Sequence, residues 1–353
     1  MKRRFLKWVG IILLAVVVLL AAGVGYLTIR EYKPDSVEAV EPAGGDREAV
    51  TGESLTLLSY NTGYGGLSKD EDFFMDGGSK VHPESEALVK DNLEGIVKVL
   101  KDHPADIYLL QEVDIHSART FDINEQSFYE EALGLGSMFG CNYKCDFVPY
   151  PLPPIGHVES GILSLTDFKV NSASRISLPE SFSWPVKTCN LKRCLLETRI
   201  PVKDSEKELV LINLHLEAYD DGEGKIAQSK MLARILSEEY EKGNYVIAGG
   251  DFNQTFEGIN KYPVKNRENW VPGVIGAEDI PEGFSFAVDD SYPTCRLLNG
   301  PYTGSYETSQ VYVIDGYIVS PNVTVEAVEV INVDFEHTDH QPVKLRFNLN
   351  SES

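Results

Sequence analysis

Six times along this chain an apolar run ends in a short polar cluster, and no other feature constrains the fold as tightly. Asn61 follows Leu55–Tyr60, Gln111-Glu112 follows Ile107–Leu110, and Asn213-Leu214-His215 closes Leu209–Ile212. Gly249-Gly250-Asp251-Phe252-Asn253 follows Tyr245–Ala248, Asp315 follows Val311–Ile314, and the last cluster is Thr338-Asp339-His340-Gln341-Pro342. Short apolar runs bounded by polar residues read as buried strands. Ser160–Leu165, Leu195–Ile200, Val311–Val319, Val323–Val333 and Val343–Phe347 extend the strand set. Between them lie helical periods, with Leu88, Leu93, Ile96, Val97 and Leu100 in His82–Lys101, and Ile226, Met231, Leu232, Ile235 and Leu236 in Lys225–Tyr240. Strands alternating with helices predict an α/β domain, here with carboxylate, amide and imidazole groups gathered at strand ends.

The start of the chain is of another kind. Residues 1–7 hold Lys2, Arg3, Arg4 and Lys7, and residues 8–27 are apolar and uncharged. A bilayer core takes roughly 20 such residues as a helix. Basic residues before the span and Glu31, Asp35, Glu38 and Glu41 after it predict a single-pass cell-membrane protein, N-terminus cytoplasmic and the bulk extracytoplasmic. A cleavable signal peptide is the competing reading, given Ala21-Ala22-Gly23. Residues 28–53 are acidic and lack an apolar period, which predicts a flexible spacer, and residues 54–350 form the expected folded domain.

Charge narrows the partners. Lys and Arg number 32 against 54 Asp and Glu, a net charge of −22 that opposes long-range capture of a polyanion. The five cysteines are spaced Cys141/Cys145, Cys189/Cys194 and Cys295, an odd count that leaves one outside any disulfide scheme and fits zinc spacing poorly. No segment marks an obligate protein partner. The proline- and aromatic-rich stretches Asn260–Thr308 and Pro149–Pro154 read as loops of the kind that set substrate choice.

Hydrolysis of a phosphate ester needs neutralised phosphoryl oxygens, an aligned water and a stabilised leaving oxygen. A hard cation such as Mg²⁺ takes carboxylate and water oxygens, and Glu112 is the obvious carboxylate, with the neutral amide of Asn61 beside it. Asp251 suits alignment and deprotonation of water, and Asn253 lies two residues on along an extended segment. His340 suits binding of the scissile phosphate, with Asp315 able to fix its tautomer. His215 is a second imidazole for phosphate contact or proton transfer to the leaving group. Structural alternatives stand beside each role. Asn61 and Asp315 also fit turn caps, Gln111-Glu112 a surface pair, His215 a core histidine, and Asp251 with Asn253 simple turn chemistry. His337 reads as a surface residue, and His157, Glu159 and Arg193 as rim positions.

These residues in this order resemble the endonuclease/exonuclease/phosphatase superfamily, the group that includes DNase I and neutral sphingomyelinases. The matching elements run from Ser59-Tyr60-Asn61 to Asp339-His340-Gln341-Pro342. The resemblance implies a four-layer α/β/β/α sandwich of the DNase I type, here preceded by one transmembrane helix. It implies Mg²⁺, with Mn²⁺ or Ca²⁺ as alternatives, held by Glu112 and Asn61 with Asp339 as an additional ligand. Asp251, His340, Asp315, His215 and Asn253 become the catalytic set. Several members carry an acidic residue two places after the first Asn, where this chain has Gly63. The expected activity is phosphoester hydrolysis on a small or membrane-resident substrate. The alternatives are a surface nuclease acting on DNA or RNA and an inactive binding module.

Overall fold

The computed structural model describes residues 2–220 and 222–351, so Met1 of the basic start lies outside the described residues. In chain order the strands are β1 (Val37–Val40), β2 (Leu55–Asn61), β3 (Ile107–Asp114), β4 (Gly136–Val148), β5 (Gly156–Thr166) and β6 (Ser172–Ser177). They continue with β7 (Cys194–Pro201), β8 (Glu208–His215), β9 (Tyr245–Asp251), β10 (Gln254–Phe256), β11 (Gly273–Ile275) and β12 (Ser285–Ala287). The last are β13 (Cys295–Arg296), β14 (Val311–Tyr312), β15 (Asp315–Val319), β16 (Val323–Val330) and β17 (Val343–Leu349). The α-helices are α1 (Lys2–Arg30), α2 (Glu86–Asp102), α3 (Glu125–Leu133) and α4 (Glu223–Glu241).

Two mixed sheets carry the fold, one ordered β1-β6-β7-β8-β9-β15-β12 and the other β16-β17-β2-β3-β5-β4. Successive strand residues face opposite ways, and the two faces of each sheet bury different partners. Leu57, Ile107 and Leu109 of one sheet meet Leu209, Leu211, Ile247 and Tyr317 of the other between the layers. On the outer faces, Val210, Ile212 and Val246 pack against Leu232, Ile235 and Leu236 of α4. Leu58, Tyr60 and Leu110 pack against Val89, Leu93 and Ile96 of α2 and Tyr129 of α3. The result is the expected α/β/β/α sandwich. Each sheet holds one central parallel pair, β2 with β3 and β8 with β9, and all four strands end at the same rim. Ligand sites of α/β sheets favour the carboxyl ends of such strands.

Helix α1 is long and apolar enough to cross a membrane, with a mean hydropathy of 2.7 and no buried residue in its apolar window. The segment after it departs from the expected spacer. β1 pairs antiparallel with β6, and Arg47 and Ala49 form parallel bridges to Phe168 and Val202. The last turn of α1 is held as well. Tyr26 and Arg30 both donate to Asp146 Oδ2, at 3.0 and 2.6 Å, and Trp184 Nε1 donates to Thr28 Oγ1 at 3.0 Å. Glu31, its side chain only 3% exposed, pairs with Lys192 at 2.9 Å. Acidic composition predicts solvation, but Glu31 and Glu38 find basic partners on the domain, in Lys192 and Arg175.

Candidate active site

Two cross-sheet amides set the rim in place before any reactive group enters. Gln111 Nε2 donates to Asn213 Oδ1 at 2.8 Å, and Asn213 Nδ2 donates to the carbonyls of Leu110 and Leu163 at 3.1 and 3.0 Å. The sequence clusters containing Gln111 and Asn213 therefore join the sheets, and their neighbours Glu112 and His215 face the rim. The β3–β5 register shifts between Leu110 and Val113, a bulge that contains Glu112. Glu112 adopts φ 55°, a left-handed backbone uncommon for a non-glycine residue. Its side chain stays 26% exposed while the other carboxylates around it are buried.

The second sheet supplies a row of partners. His215 and Asp251 are opposite one another in the parallel pair β8/β9, and Asp251 and Asp315 in the antiparallel pair β9/β15. Asp251 Oδ2 lies 3.5 Å from His215 Nε2 and 3.7 Å from His340 Nε2, and His215 Nε2 lies 4.0 Å from Glu112 Oε1. Asp315 Oδ2 is 2.9 Å from His340 Nδ1. Asn61 Nδ2 donates to Glu112 Oε1 and to Asp251 Oδ2, at 3.1 Å each, so the neutral amide separates two carboxylates. The amide orientation follows from its other end, where Asn61 Oδ1 accepts from the Gly63 N–H at 3.1 Å. That oxygen is thus engaged within the protein and is not aimed at the carboxylates.

Gly63 also accounts for the departure from the resembling sequences. A Cβ there would lie 2.8 Å from Thr338 Oγ1 and 3.1 Å from Asp339 Oδ1, and the residue sits at φ 51°. Asp339 occupies the space that a side chain at position 63 would need. Asn253, also left-handed at φ 51°, turns its backbone N–H onto Asp251 Oδ1 at 2.8 Å. Its Nδ2 holds the Leu216 carbonyl at 2.9 Å.

Burial and crowding set the charges. Burial, then the negative charge of Asp315, raises the Asp251 carboxyl to about 7. Burial, with Glu112 beside it, raises Asp339 to about 6. His215 is driven well below the usual imidazole value by burial, then by the positive charges of Arg193 and His340. Burial acts the same way on His340, but Asp315 and Asp251 outweigh it and hold that imidazole well above its usual value. One imidazole is therefore neutral and the other cationic at neutral pH.

All eight expected site residues meet at this rim. Four more join them. Arg193 has its side chain 4% exposed and 4.0 Å from Glu217, and its Nε and Nη1 lack a hydrogen-bond partner among the described residues. Tyr219 donates to Asp76 Oδ1 at 2.7 Å, and that pair lies within electrostatic reach of Glu112. Thr338 donates to the Asn61 carbonyl at 3.2 Å. The sequence offers Arg193 only as a rim position, and no periodicity marks Asp76, at the end of the single 3-10 turn Phe74–Asp76, or Tyr219, in a bend after β8. His337 rests against Gly95 of α2, and His157 lies apart beside Asp122.

The donor set fits a hard divalent cation. Glu112, Asp339 and Asp251 bring oxygens together at the rim, where burial first and neighbouring carboxylates second raise Asp251 and Asp339, so a cation there would favour their charged forms. Asp251, Asp315 and His340 also place ligand-type atoms within 4.8 Å of one another.

Comparison with known proteins agrees with this architecture. Residues 58–333 match the Endonuclease/Exonuclease/phosphatase family. No curated protein matches the sequence. Among solved structures, an endonuclease/exonuclease/phosphatase from Beutenbergia cavernae DSM 12333 is similar at TM-score 0.57 and 18% identity, over 86% of this chain and 72% of that one. One from Bacteroides vulgatus is similar at TM-score 0.55 and 16% identity, over 84% and 100%. Truncated Caenorhabditis elegans TDP2 is similar at TM-score 0.50 and 15% identity, over 84% and 99%. At such identities the likeness establishes the shared fold. With the family match covering most of the folded domain, the chain belongs to the endonuclease/exonuclease/phosphatase family, whose members hydrolyse phosphate esters.

Proposed function

We propose that this chain is a membrane-anchored, Mg²⁺-dependent phosphoesterase acting on a small or lipid-borne phosphate ester. The observation that carries the reading is the convergence of Asp251, His340 and Glu112 on one rim with a cationic imidazole facing a buried carboxylate. Glu112 and Asp339 would hold the cation, with Mn²⁺ or Ca²⁺ as alternatives, and its charge would neutralise phosphoryl oxygens. Asn61 would keep Glu112 and Asp251 apart through its NH₂ group. Asp251, aimed by the Asn253 N–H, accepts the proton of the attacking water. His340, its Nδ1 held by Asp315, presents Nε2 to the phosphate and stabilises the charge that develops there. His215 is neutral in this setting, so it serves as a hydrogen-bond contact to phosphate better than as the acid for the leaving group.

Arg193 supports an anionic substrate. A guanidinium this buried and this poorly paired costs stability unless an anion completes it. The net charge of −22 favours a small or membrane-resident ester over a long polyanion. Proximity to a bilayer is supported by α1, by the exposed Trp184 that donates to Thr28 at its last turn, and by the exposed Phe147 of β4 next to the Asp146 that Arg30 pairs with. In this arrangement residues 2–7 are cytoplasmic, the apolar part of α1 spans the membrane, and the remainder is extracytoplasmic.

The experiment is Mg²⁺-dependent hydrolysis by the full chain in detergent micelles, beside Asp251→Ala and His340→Ala. The panel holds sphingomyelin, phosphoinositides, a bis-aryl phosphodiester, linear and supercoiled DNA, and RNA. Turnover of lipid or small esters, lost in both variants, is the expected result. Efficient nucleic-acid cleavage would replace the substrate reading with a surface nuclease, and turnover surviving both substitutions would displace the assigned residues.

A further inference from the structure

A second cluster of metal-type ligands lies outside the active site, at the turn between β3 and α3. The β3–β5 pairing extends past the strand, with the Ile115 and His116 N–H groups both donating to the Glu159 carbonyl, at 2.9 and 3.3 Å. This sets His116 beside the first residues of β5, where His157 is the second. The chain then turns through Ala118–Thr120 and through two consecutive left-handed residues, Phe121 at φ 56° and Asp122 at φ 61°. Gly156 lets β5 lie against this turn, since a Cβ there would come 2.8 Å from Ala118 Cβ.

The outcome is a convergence of three side chains. Asp122 Oδ1 lies 2.6 Å from His157 Nε2 and 2.9 Å from His116 Nδ1, and the two rings stand 4.6 Å apart with planes tilted by 34°. All three ligand-type atoms fall within 4.8 Å of one another. The side chains are 63%, 50% and 36% exposed for His116, Asp122 and His157, so an ion reaches them directly from solvent.

We propose that His116, Asp122 and His157 form a surface site for a borderline divalent transition ion of the Zn²⁺ class. Two imidazole nitrogens and one carboxylate oxygen are a common three-ligand set for Zn²⁺, with His N–Zn distances of about 2.0–2.1 Å and water completing the tetrahedron. Atoms already 2.6–2.9 Å apart need only spread slightly to surround such an ion. Imidazole ligands disfavour Mg²⁺, which prefers oxygens, so this site does not compete for a hard cation held by the oxygens of Glu112 and Asp339. A bound ion would fasten the β3–α3 turn to the start of β5, next to the Pro149–Ile155 connection that carries the exposed Tyr150 and Leu152. The site stands independently of what the active site hydrolyses.

The test is Zn²⁺ binding by the full chain, purified in detergent without a histidine tag, stripped of metal and held in excess Mg²⁺. Calorimetry and competition with a chromophoric chelator read affinity and stoichiometry. One equivalent is expected in the wild type, weakened at least about tenfold in His157→Ala and in His116→Ala and retained in Glu112→Gln. Circular dichroism of each variant checks that it is folded. Equal affinity in the histidine variants, loss confined to Glu112→Gln, or no binding at millimolar Zn²⁺ would each overturn the proposal and leave the cluster a hydrogen-bonded triad only.

Discussion

Asp251 and Asp315 are direct cross-strand partners in the antiparallel pair β9/β15, and the His340 imidazole closes on both, 3.7 Å from the first and 2.9 Å from the second. Like charges directly opposite in a sheet repel. One cationic ring between them turns the repulsion into a three-group unit whose protonation states depend on one another. Burial is the larger cause that raises Asp251 and the charge of Asp315 the next, and Asp315 is also the leading charge that holds the proton on His340.

That coupling gives a signed prediction for Asp315→Asn. Removing the negative charge makes Asp251 more acidic and His340 more acidic as well. If Asp251 acts deprotonated and His340 protonated, both limbs of the kcat/KM–pH profile move to lower pH. In the wild type the acidic limb is expected near pH 7, where Asp251 ionises, before any shift that bound metal imposes. A movement of only one limb, or of either limb to higher pH, would refute the assignment of the two groups.

Metal should act on stability through the same carboxylates. With Asp251 raised to about 7 and Asp339 to about 6, the folded state resists ionising them, so stability contributed by these groups falls as pH rises from their unfolded values near 4 through that range. A divalent cation relieves the crowding, so Mg²⁺ is expected to raise Tm, more at pH 8 than at pH 5.5. At a hundredfold excess over Kd the gain is about 2.7 kcal/mol. Glu112→Gln should abolish most of it. Thermal unfolding with Mg²⁺ and with EDTA at the two pH values measures this directly.

Arg193 should separate binding from folding. Arg193→Met keeps the apolar stem and removes the buried charge, while Glu217 retains hydrogen bonds from the Ala218 and Tyr219 N–H groups. A charge-assisted contact to phosphate contributes roughly 1.5–3 kcal/mol, so KM or kcat/KM should worsen about 10- to 100-fold. Stability should hold or rise, since an underpaired guanidinium is gone. Steady-state kinetics beside a urea unfolding curve reads both, and unchanged kinetics would remove Arg193 from the site.

The strands that carry chemistry were the most legible part of the chain, for a physical reason. β2, β3, β8 and β9 are buried on both faces, so they read as unbroken apolar runs, and their polar ends stand out. The run Val311–Val319 is broken in the structure, because Ile314 and Asp315 turn their N–H groups onto Thr294 Oγ1 between β14 and β15. β4 was not legible at all. Its sequence Gly136–Val148 mixes glycine, cysteine, asparagine and lysine and owes its strand form to ten residues paired along β5 across two bulges. Residue roles were less legible than residue identities. Asn61 and Glu112 are evident in sequence, but only the amide hydrogen bonds show Asn61 as a separator of carboxylates.

The segment after α1 offers the sharpest contrast between composition and structure. A polar, acidic stretch after an apolar helix is expected to be cut readily by proteases. Here Val37–Val40 is an edge strand on β6, Arg47 is 2.5 Å from Asp106, and Glu31 and Lys192 form a pair whose side chains are 3% and 5% exposed. Limited proteolysis of the full chain in detergent should therefore leave residues 31–53 uncut under conditions that nick the exposed Pro149–Pro154 loop. Glu31→Ala removes the more buried of two carboxylates on Lys192, whose Nζ also lies 3.1 Å from Glu180, so the cost falls below the roughly 3–5 kcal/mol of a fully broken buried pair. That variant should expose the segment to cleavage, whereas Arg30→Ala, at a residue 59% exposed by its side chain, should alter it little. Rapid cleavage between residues 31 and 53 in the wild type would restore the flexible spacer and free the catalytic rim from any fixed orientation to the bilayer.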